Sequence, residues 1–396
     1  MGMTKHAGRL WTILVYGASR VISSLGTSLV SLVIIQTQSQ EVWGSAVQWV
    51  LFFDLVFSVI SWGSSQYLLR ESSLDPKNLS QHFSASAVAR IPLLAAFVVV
   101  LLLLPVSQEL RSSMLVWALA RYIFQWYEPL LQFHRNFAFS LLMELSALVV
   151  TLAPLFAIQS LVTGEVVVTL IAAGTLWKCS FATLWVFAIK KIARPARVTR
   201  SQTVAFLMSA FPFLLLSFTA MLQQRMDLYV VAYYLDDRDT AVYQVYINWL
   251  IFCQFLSTLI LSPFAKNIFR VPENTFKTIE RRFMMAGLYL SLLSILGVYT
   301  VIRLLYRLDI PAWYYAAGYV YILVYYFYAL RNYALGKIRK QSTVVVYALL
   351  TSGVNFVLAI TFVPTMGTSG ALLAAVLSQF FLLGLYHLRK SAYAVG

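Results

Sequence analysis

Apolar stretches of about 20 residues recur along the whole sequence. Wound as an α-helix at 1.5 Å per residue, such a stretch crosses a hydrocarbon core about 30 Å thick. Hydrophobic residues make up 60% of the 396 residues and charged residues only 11%. A water-soluble domain cannot bury that much apolar side chain, so we predict an integral membrane protein. Uninterrupted apolar stretches of this length also exclude a transmembrane barrel of alternating strands.

The hydropathy of the sequence predicts twelve transmembrane helices, numbered here as spans 1 to 12. They cover residues 11–35, 43–67, 86–105, 113–133, 137–159, 166–188, 204–234, 240–264, 284–305, 313–335, 342–363 and 368–387. No small-residue cleavage site and polar mature domain follow span 1, which we therefore interpret as a retained span.

The net charge of +15 is distributed unevenly between the predicted connections. Lys and Arg concentrate before span 1, after each even-numbered span and at the end of the sequence. This basic set includes Arg70, Lys77 and Arg90 after span 2, and the segment 190–200 after span 6. The opposite connections are mainly acidic. By the positive-inside rule, both termini are predicted to be cytoplasmic. The basic balance thus reflects topology and contact with anionic membrane lipids, and we expect no nucleic-acid partner.

The cysteines and histidines show no ligand spacing. Cys179 and Cys253 lie within predicted spans, and the four histidines lie near span ends on the cytoplasmic side. We therefore expect neither a metal site nor a cofactor.

The basic segment near the midpoint divides the sequence into two similar halves of six spans each. The start of span 2 at residues 41–46 resembles the start of span 8 at residues 239–243. Basic residues also end the corresponding spans in both halves. We predict an N-terminal six-helix lobe at 1–190, a basic cytoplasmic linker at 191–202 and a C-terminal six-helix lobe at 203–396. The two lobes would be parallel repeats around a central cavity.

Of the charged residues within the predicted span bounds, eight are assigned to the membrane interior. Each costs about 3 kcal/mol in mid-bilayer and is therefore predicted to face a partner or a water-filled cavity. They are Arg20, Asp54, Arg121, Glu128, Glu144, Lys178, Asp227 and Arg331.

Helical spacing predicts which faces of the spans line this cavity. Polar residues recur at i, i+4, i+7 and i+11 on spans 1, 2 and 4. These stripes are Arg20, Ser24, Thr27 and Ser31; Asp54, Ser58, Ser61 and Ser65; and Arg121, Gln125, Glu128 and Gln132. Spans 7, 8 and 10 add further polar residues, so that spans 1, 2, 4, 7, 8 and 10 would line the cavity. The predicted substrate residues are Arg20, Ser24, Thr27, Asp54, Arg121, Gln125, Glu128, Lys178, Gln223, Asp227, Gln244, Asn248, Tyr328 and Arg331.

Structural interpretations of the same residues stay open. Serine stripes in membrane helices can serve only close packing. Arg121 and Glu128 can pair on one face of span 4, and Glu144 can pair with a neighbouring basic residue. Lys178 can extend its stem toward the membrane surface.

Two segments carry a family resemblance: Arg225 to Tyr229 continuing through Ala241 to Tyr246, and the small-residue run from Gly367 to Ala375. With twelve spans and the basic central segment, they resemble the polysaccharide transporters of the multidrug/oligosaccharidyl-lipid/polysaccharide exporter superfamily, among them the O-antigen-unit flippases. Ala241 stands where that family usually has glycine, and the sequence is short for the family.

The resemblance implies a flippase that moves a polyprenyl-pyrophosphate-linked oligosaccharide, such as an O-antigen or lipopolysaccharide unit, across a bacterial inner membrane. Other membrane proteins of polysaccharide assembly would be its partners. Arg20 matches a position where related lipid flippases carry a basic residue. Cation or proton binding at Asp54, Glu128 or Asp227 would reset the carrier. A multidrug or cation antiporter of the same fold class is the alternative, and a glycan polymerase is a further one. We expect no enzyme, because the predicted outer connections are too short to carry a catalytic site.

Overall fold

The computed structural model describes residues 2–134, 136–158, 162–186, 196–261, 272–337 and 341–388. Inside these ranges, the side chains of residues 2–14, 16, 20, 259, 273, 274, 332–337 and 341 lie outside the description. The described chain is almost entirely helical, as expected where the bilayer offers backbone groups no other hydrogen-bond partners.

Twelve of the helices in the described ranges are 21 residues or longer, and one, α3, is shorter. They are α1 (Gly2–Thr37), α2 (Gln40–Ser61), α3 (Ser64–Leu74), α4 (Leu79–Leu103), α5 (Gln108–Phe133), α6 (Phe137–Ala157), α7 (Gly164–Leu184), α8 (Arg200–Tyr234), α9 (Asp237–Leu261), α10 (Glu273–Thr300), α11 (Ala312–Lys337), α12 (Gln341–Met366) and α13 (Thr368–Leu388). Spans 1 and 2 correspond to α1 and α2, and spans 3–12 correspond to α4–α13.

Nine helices of the described chain are long and apolar enough to cross a membrane by length and composition. The other three long helices are α5, α9 and α11. In α5 and α9, charged and amide side chains lie between the apolar residues, whereas α11 is rich in tyrosine. These side chains lower the mean hydropathy of each helix. The protein is thus a multi-pass membrane protein, and these three long helices contain no comparably apolar stretch.

The chain divides into two compact units, Met1–Phe218 and Thr219–Gly396, with the division falling inside α8. In unit 1, α1 packs on α6, and α7 packs on α2, α5 and α6. In unit 2, α11 packs on α9, α10 and α13, and α12 packs on α13. The lobes at 1–190 and 203–396 and the linker at 191–202 stay predictions.

An aromatic contact holds α2 against α5 in unit 1. The Phe53 ring stacks on Trp117 with centroids 3.7 Å apart and planes 5° apart, and both side chains are buried. The next residue on α2 is Asp54, and one turn beyond Trp117 on α5 is Arg121. The stacked rings therefore bring a carboxylate and a guanidinium to the same level of the unit.

Span 2 was expected to continue to residue 67, but α2 ends at Ser61. Trp62 and Gly63 take left-handed conformations, with φ of 47° and 65°, before α3 starts. Trp62 donates from Nε1 to the carbonyl oxygen of Leu207 at 3.0 Å. A Cβ at Gly63 would lie 2.7 Å from the Cβ of Phe213. This close approach and the positive φ together require glycine.

Gly63→Ala is expected to lower the free energy of unfolding by about 2–4 kcal/mol, since left-handed strain costs about 1 kcal/mol and overpacking about 1–3 kcal/mol. The measurement is the thermal unfolding temperature of the purified protein in detergent. Gly353→Ala is the matched control, because a Cβ there would have nothing within 4 Å. Equal unfolding temperatures for the two variants would contradict this account of the break.

Candidate functional site

Unit 1 encloses a cavity of about 440 Å³ between α1, α2, α5, α6 and α7. Its wall combines charged, amide and hydroxyl side chains with aromatic rings. The polar and aromatic lining residues are Ser19, Ser23, Thr27, Asp54, Trp117, Arg121, Phe124, Gln125, Glu128, Gln132, Phe137, Ser140, Glu144, Thr151, Thr175 and Lys178. A cavity with this lining offers water, or a polar solute, a hydrogen-bonding surface inside a membrane protein.

Arg121 of α5 pairs with Asp54 of α2 across the cavity wall. Nη1 of Arg121 lies 2.5 Å from Oδ1 of Asp54. The guanidinium also lies over the rings of Phe53 and Phe57, at 5.5 and 5.0 Å from their centroids. The two ion-pair side chains are 35% and 39% exposed, so the pair opens onto the cavity. The structure thus pairs Arg121 with a carboxylate on another helix and not with Glu128 of its own helix.

Lys178 of α7 makes the second ion pair of the cavity. Its Nζ lies 2.5 Å from Oε2 of Glu144 on α6, and both side chains line the cavity. The expectation that Glu144 could serve as the partner of a basic residue matches this contact. The contact does not match the alternative prediction, in which Lys178 extends toward the membrane surface.

The predicted stripe on α5 lies on one wall of the cavity. Arg121, Gln125, Glu128 and Gln132 all line it. Nε2 of Gln132 donates to Oε1 of Glu128 at 3.3 Å. Their part in substrate binding, like the ion coupling suggested for Asp54 and Glu128, stays a prediction.

The serine stripes of α1 and α2 behave differently. Ser58 and Ser61 donate to the carbonyl oxygens of Leu55 and Ser58, at 2.6 and 2.7 Å, so their hydroxyls bond their own helix. This matches the packing interpretation, since a hydroxyl can donate its hydrogen bond to a carbonyl oxygen one turn earlier in the same helix. On α1, Thr27 lines the cavity, whereas Ser24 is exposed and lies outside the lining. The side chain of Arg20 is outside the described residues.

Two of the predicted site residues of the C-terminal half, Asp227 and Asn248, accept hydrogen bonds from other residues of unit 2. Asp227 is buried and accepts a hydrogen bond from the hydroxyl of Tyr243. Asn248 accepts one from Arg225. Gln244 is buried and Gln223 partly buried. These residues do not line the cavity of unit 1, and their role in a substrate cavity stays a prediction.

Tyr328 of α11 is part of a buried cluster in unit 2. The Tyr328 hydroxyl donates to Oε1 of Gln379 at 2.7 Å, and its ring stacks on Tyr386. Arg331, one turn further on, donates from Nε to Oε1 of Glu280 on α10 at 2.6 Å. Both α11 residues are therefore held by other helices of the same unit.

Unit 2 has its own cavity of about 550 Å³ between α9, α10 and α11. Its wall is mainly apolar, with side chains such as Phe252, Leu256, Leu290 and Val298. In contrast to the cavity of unit 1, it offers few polar groups to a solute.

Sequence reasoning missed α6 as a wall of the cavity in unit 1, and it placed only Lys178 of α7 there. Ser140, Glu144 and Thr151 stand at i, i+4 and i+11 on α6, and all three line the cavity. This is the same spacing that identified the stripe on α5, so the signal was present in the sequence. Thr175 and Lys178 supply the polar side of α7.

Sequence reasoning also missed the burial of Arg90. It was grouped with the cytoplasmic basic residues, but α4 begins at Leu79, so Arg90 lies three turns inside the helix and is completely buried. Its Nη1 donates to Oε1 of Gln125 at 2.7 Å. Hydropathy missed this start of α4 because residues 79–86 include polar side chains, which lower the hydropathy without breaking the helix.

Comparisons with known proteins give a fold and no family. No protein-family model matches the chain, and no curated protein matches its sequence. Among solved structures, an inward-facing multidrug resistance MATE family transporter of the MOP superfamily matches with a TM-score of 0.71 at 11% identity, over 94% of this chain and 95% of that chain. The lipid II flippase MurJ in an inward closed conformation matches with a TM-score of 0.66 at 16% identity, over 96% of this chain and 87% of that one.

A third similar structure is an outward-facing multidrug resistance MATE family transporter of the MOP superfamily, with a TM-score of 0.62 at 11% identity, over 97% of this chain and 95% of that one. At such identities the likeness shows the fold. The predicted all-α integral membrane class is therefore confirmed: the chain has the all-α membrane transporter fold that the MATE and MurJ structures share.

Proposed function

We propose that this protein is a flippase that moves a polyprenyl-pyrophosphate-linked oligosaccharide, such as an O-antigen unit, from the cytoplasmic to the outer leaflet by alternating access. The observation that carries the proposal is the pair of cations in the cavity of unit 1. Arg121 and Lys178 line one polar cavity, and each is held by a carboxylate. The fold likeness to a lipid II flippase supports a lipid-linked substrate.

The chemistry of the cavity suits a pyrophosphate followed by sugars. Both cations can exchange their carboxylates for phosphate oxygens, and the arginine fork can bind two oxygens at once. Side chains such as Gln132, Ser140 and Thr175 can donate to or accept from sugar hydroxyls. The polar head would thus exchange water for protein groups while the polyprenyl tail stays in the bilayer.

When the cell interior is negative, outward movement of an anion lowers its free energy by about 2.3 kcal/mol per charge for each 100 mV of membrane potential. Asp54 and Glu128 in unit 1 and Asp227 in unit 2 are the acids that a proton or cation would occupy to reset the carrier. In the same proposal the protein lies in the bacterial inner membrane with both termini in the cytoplasm. It would work beside other membrane proteins of polysaccharide assembly.

A multidrug or cation antiporter is the second candidate. Three carboxylates, those of Asp54, Glu128 and Glu144, line the same cavity as the rings of Trp117 and Phe124. Acids and aromatic rings are the groups that attract organic cations. Several of the similar solved structures are also described as multidrug resistance transporters.

Deleting the gene in its native cell is expected to separate the two candidates. A flippase deletion should cause lipid-linked oligosaccharide to accumulate on the cytoplasmic face and should remove surface polysaccharide, with rescue by the wild-type gene. Normal surface polysaccharide together with increased sensitivity to cationic dyes would overturn the flippase proposal and favour the antiporter. Leaflet-specific labelling of the glycan and dye growth assays are the measurements.

A further inference from the structure

Arg90 places a positively charged guanidinium in the interior of unit 1. Its side chain is fully buried on α4, and among the residues that the structure describes it makes no ion pair. Nε donates to the carbonyl oxygen of Ser86 at 3.1 Å, and Nη1 donates to Oε1 of Gln125 at 2.7 Å. Nη2 is buried without a partner. An uncompensated buried charge is costly, so the missing countercharge needs an explanation.

The position of Arg90 is tightly defined by α5. Its guanidinium lies 4.8 Å from the centroid of the Tyr122 ring, and the Tyr122 hydroxyl donates to the carbonyl oxygen of Ala87 at 2.5 Å. Tyr122 is three residues before Gln125, so both sit on the part of α5 that faces Arg90. The ring and the amide oxygen together fix the plane of the guanidinium.

This geometry determines which end of Gln125 is available to a solute. An arginine nitrogen can only donate, so the amide oxygen of Gln125 must face Arg90. The Nε2 amino group is left for the cavity that Gln125 lines. Nothing in the described part of the chain accepts a hydrogen bond from it. The cavity wall therefore presents the Nε2 amino group of Gln125 as a hydrogen-bond donor, and the positively charged guanidinium of Arg90 lies on the other side of the same amide.

We infer that Gln125 and Arg90 form an anion subsite of the cavity, in which Arg90 positions Gln125 to donate from Nε2 to a phosphate oxygen. The bound anion supplies the countercharge that Arg90 lacks. The inference rests on the proposed function and assigns the pyrophosphate group of the substrate to the wall formed by α5. Arg90 is a positioning residue, since it acts through Gln125.

The test is the affinity of the purified full-length protein, in nanodiscs of zwitterionic lipid, for inorganic pyrophosphate, measured by isothermal titration calorimetry. Gln125→Glu is the decisive variant. Its carboxylate still accepts from Arg90 and adds a charge pair, so the unfolding temperature should equal or exceed that of the wild type. It has no donor for phosphate, so the affinity should fall about tenfold or more.

Two further variants separate positioning from packing. Arg90→Met should weaken pyrophosphate binding about tenfold, and Arg90→Lys should recover part of it because the lysine keeps the charge and one donor. Gln132→Glu is the matched control: it adds the same charge to the same cavity from the same helix, and it should weaken binding less than Gln125→Glu does. If Arg90→Met does not fold, Gln125→Glu decides the question alone.

Wild-type affinity in Gln125→Glu would overturn the inference and leave the proposed function standing. An equal loss in Gln125→Glu and Gln132→Glu would also overturn it, because net cavity charge would then explain the binding. Absence of pyrophosphate binding by the wild-type protein would overturn the subsite, whereas the flippase proposal itself is decided by the gene deletion.

Discussion

Replacing Arg121 by alanine is expected to reduce export of the lipid-linked oligosaccharide at least about tenfold while leaving a folded protein. Removing the guanidinium deletes the forked donor that would bind a phosphate, which is an interaction of about 1.5–3 kcal/mol per charged hydrogen bond and therefore a loss of at least about tenfold. Stability should change little. Arg121 and Asp54 are 35% and 39% exposed to the cavity, and such exposed pairs contribute about 0–1 kcal/mol.

Arg121→Lys should give partial export, because lysine keeps the charge and loses the planar fork. Leaflet-specific labelling of the glycan in a strain that carries each variant is the measurement. Arg303→Ala is the matched control, since Arg303 forms an exposed ion pair with Asp309 in unit 2 and neither residue lines the cavity of unit 1. Normal export by a well-folded Arg121→Ala variant would remove Arg121 from the transport path.

Glu280→Ala is expected to reduce sharply the amount of folded protein. The variant leaves Arg331 buried without its carboxylate, and breaking a buried pair from one side costs about 3–5 kcal/mol. Arg331 and Glu280 are only 9% and 14% exposed, and Nη1 of Arg331 has no partner even when the pair is intact. Monodispersity and the unfolding temperature in detergent are the measurements.

The double variant Glu280→Gln with Arg331→Met should restore folding, because an uncharged pair of similar volume needs no countercharge. Asp309→Ala is the control for stability: Asp309 is 88% exposed, so its loss should hardly change the unfolding temperature. A stable Glu280→Ala variant would show that the pair is not a structural requirement. Export by the double variant also tests the predicted substrate role of Arg331, which requires its charge.

The sequence predicted the helices well because their signal is local. All twelve predicted spans correspond to long helices, and the spacing along α5 placed Arg121, Gln125, Glu128 and Gln132 on one wall of a cavity. Hydropathy and a repeat of 3.6 residues need only neighbours in sequence, so both can be read without knowing the tertiary structure.

The serine stripes show where this local reasoning stops. Asp54, Ser58 and Ser61 share one face of α2 at the same spacing as the residues of α5. Asp54 lines the cavity, whereas Ser58 and Ser61 bond their own backbone. A hydroxyl can donate a hydrogen bond to a carbonyl oxygen of its own helix, and a carboxylate cannot. A stripe of hydroxyls therefore does not by itself identify a helix face that lines a water-filled cavity.

The sequence by itself determined the membrane class, the helix positions and the polar faces of single helices. Only the tertiary structure decided the partners: Arg121 with Asp54, Lys178 with Glu144, Arg331 with Glu280, and the buried Arg90 with Gln125. Each partner lies on another helix, at a separation of 34 to 67 residues along the chain. Periodicity defines a face but not what packs against it. The pairing of these charges therefore follows from the packing of the helices.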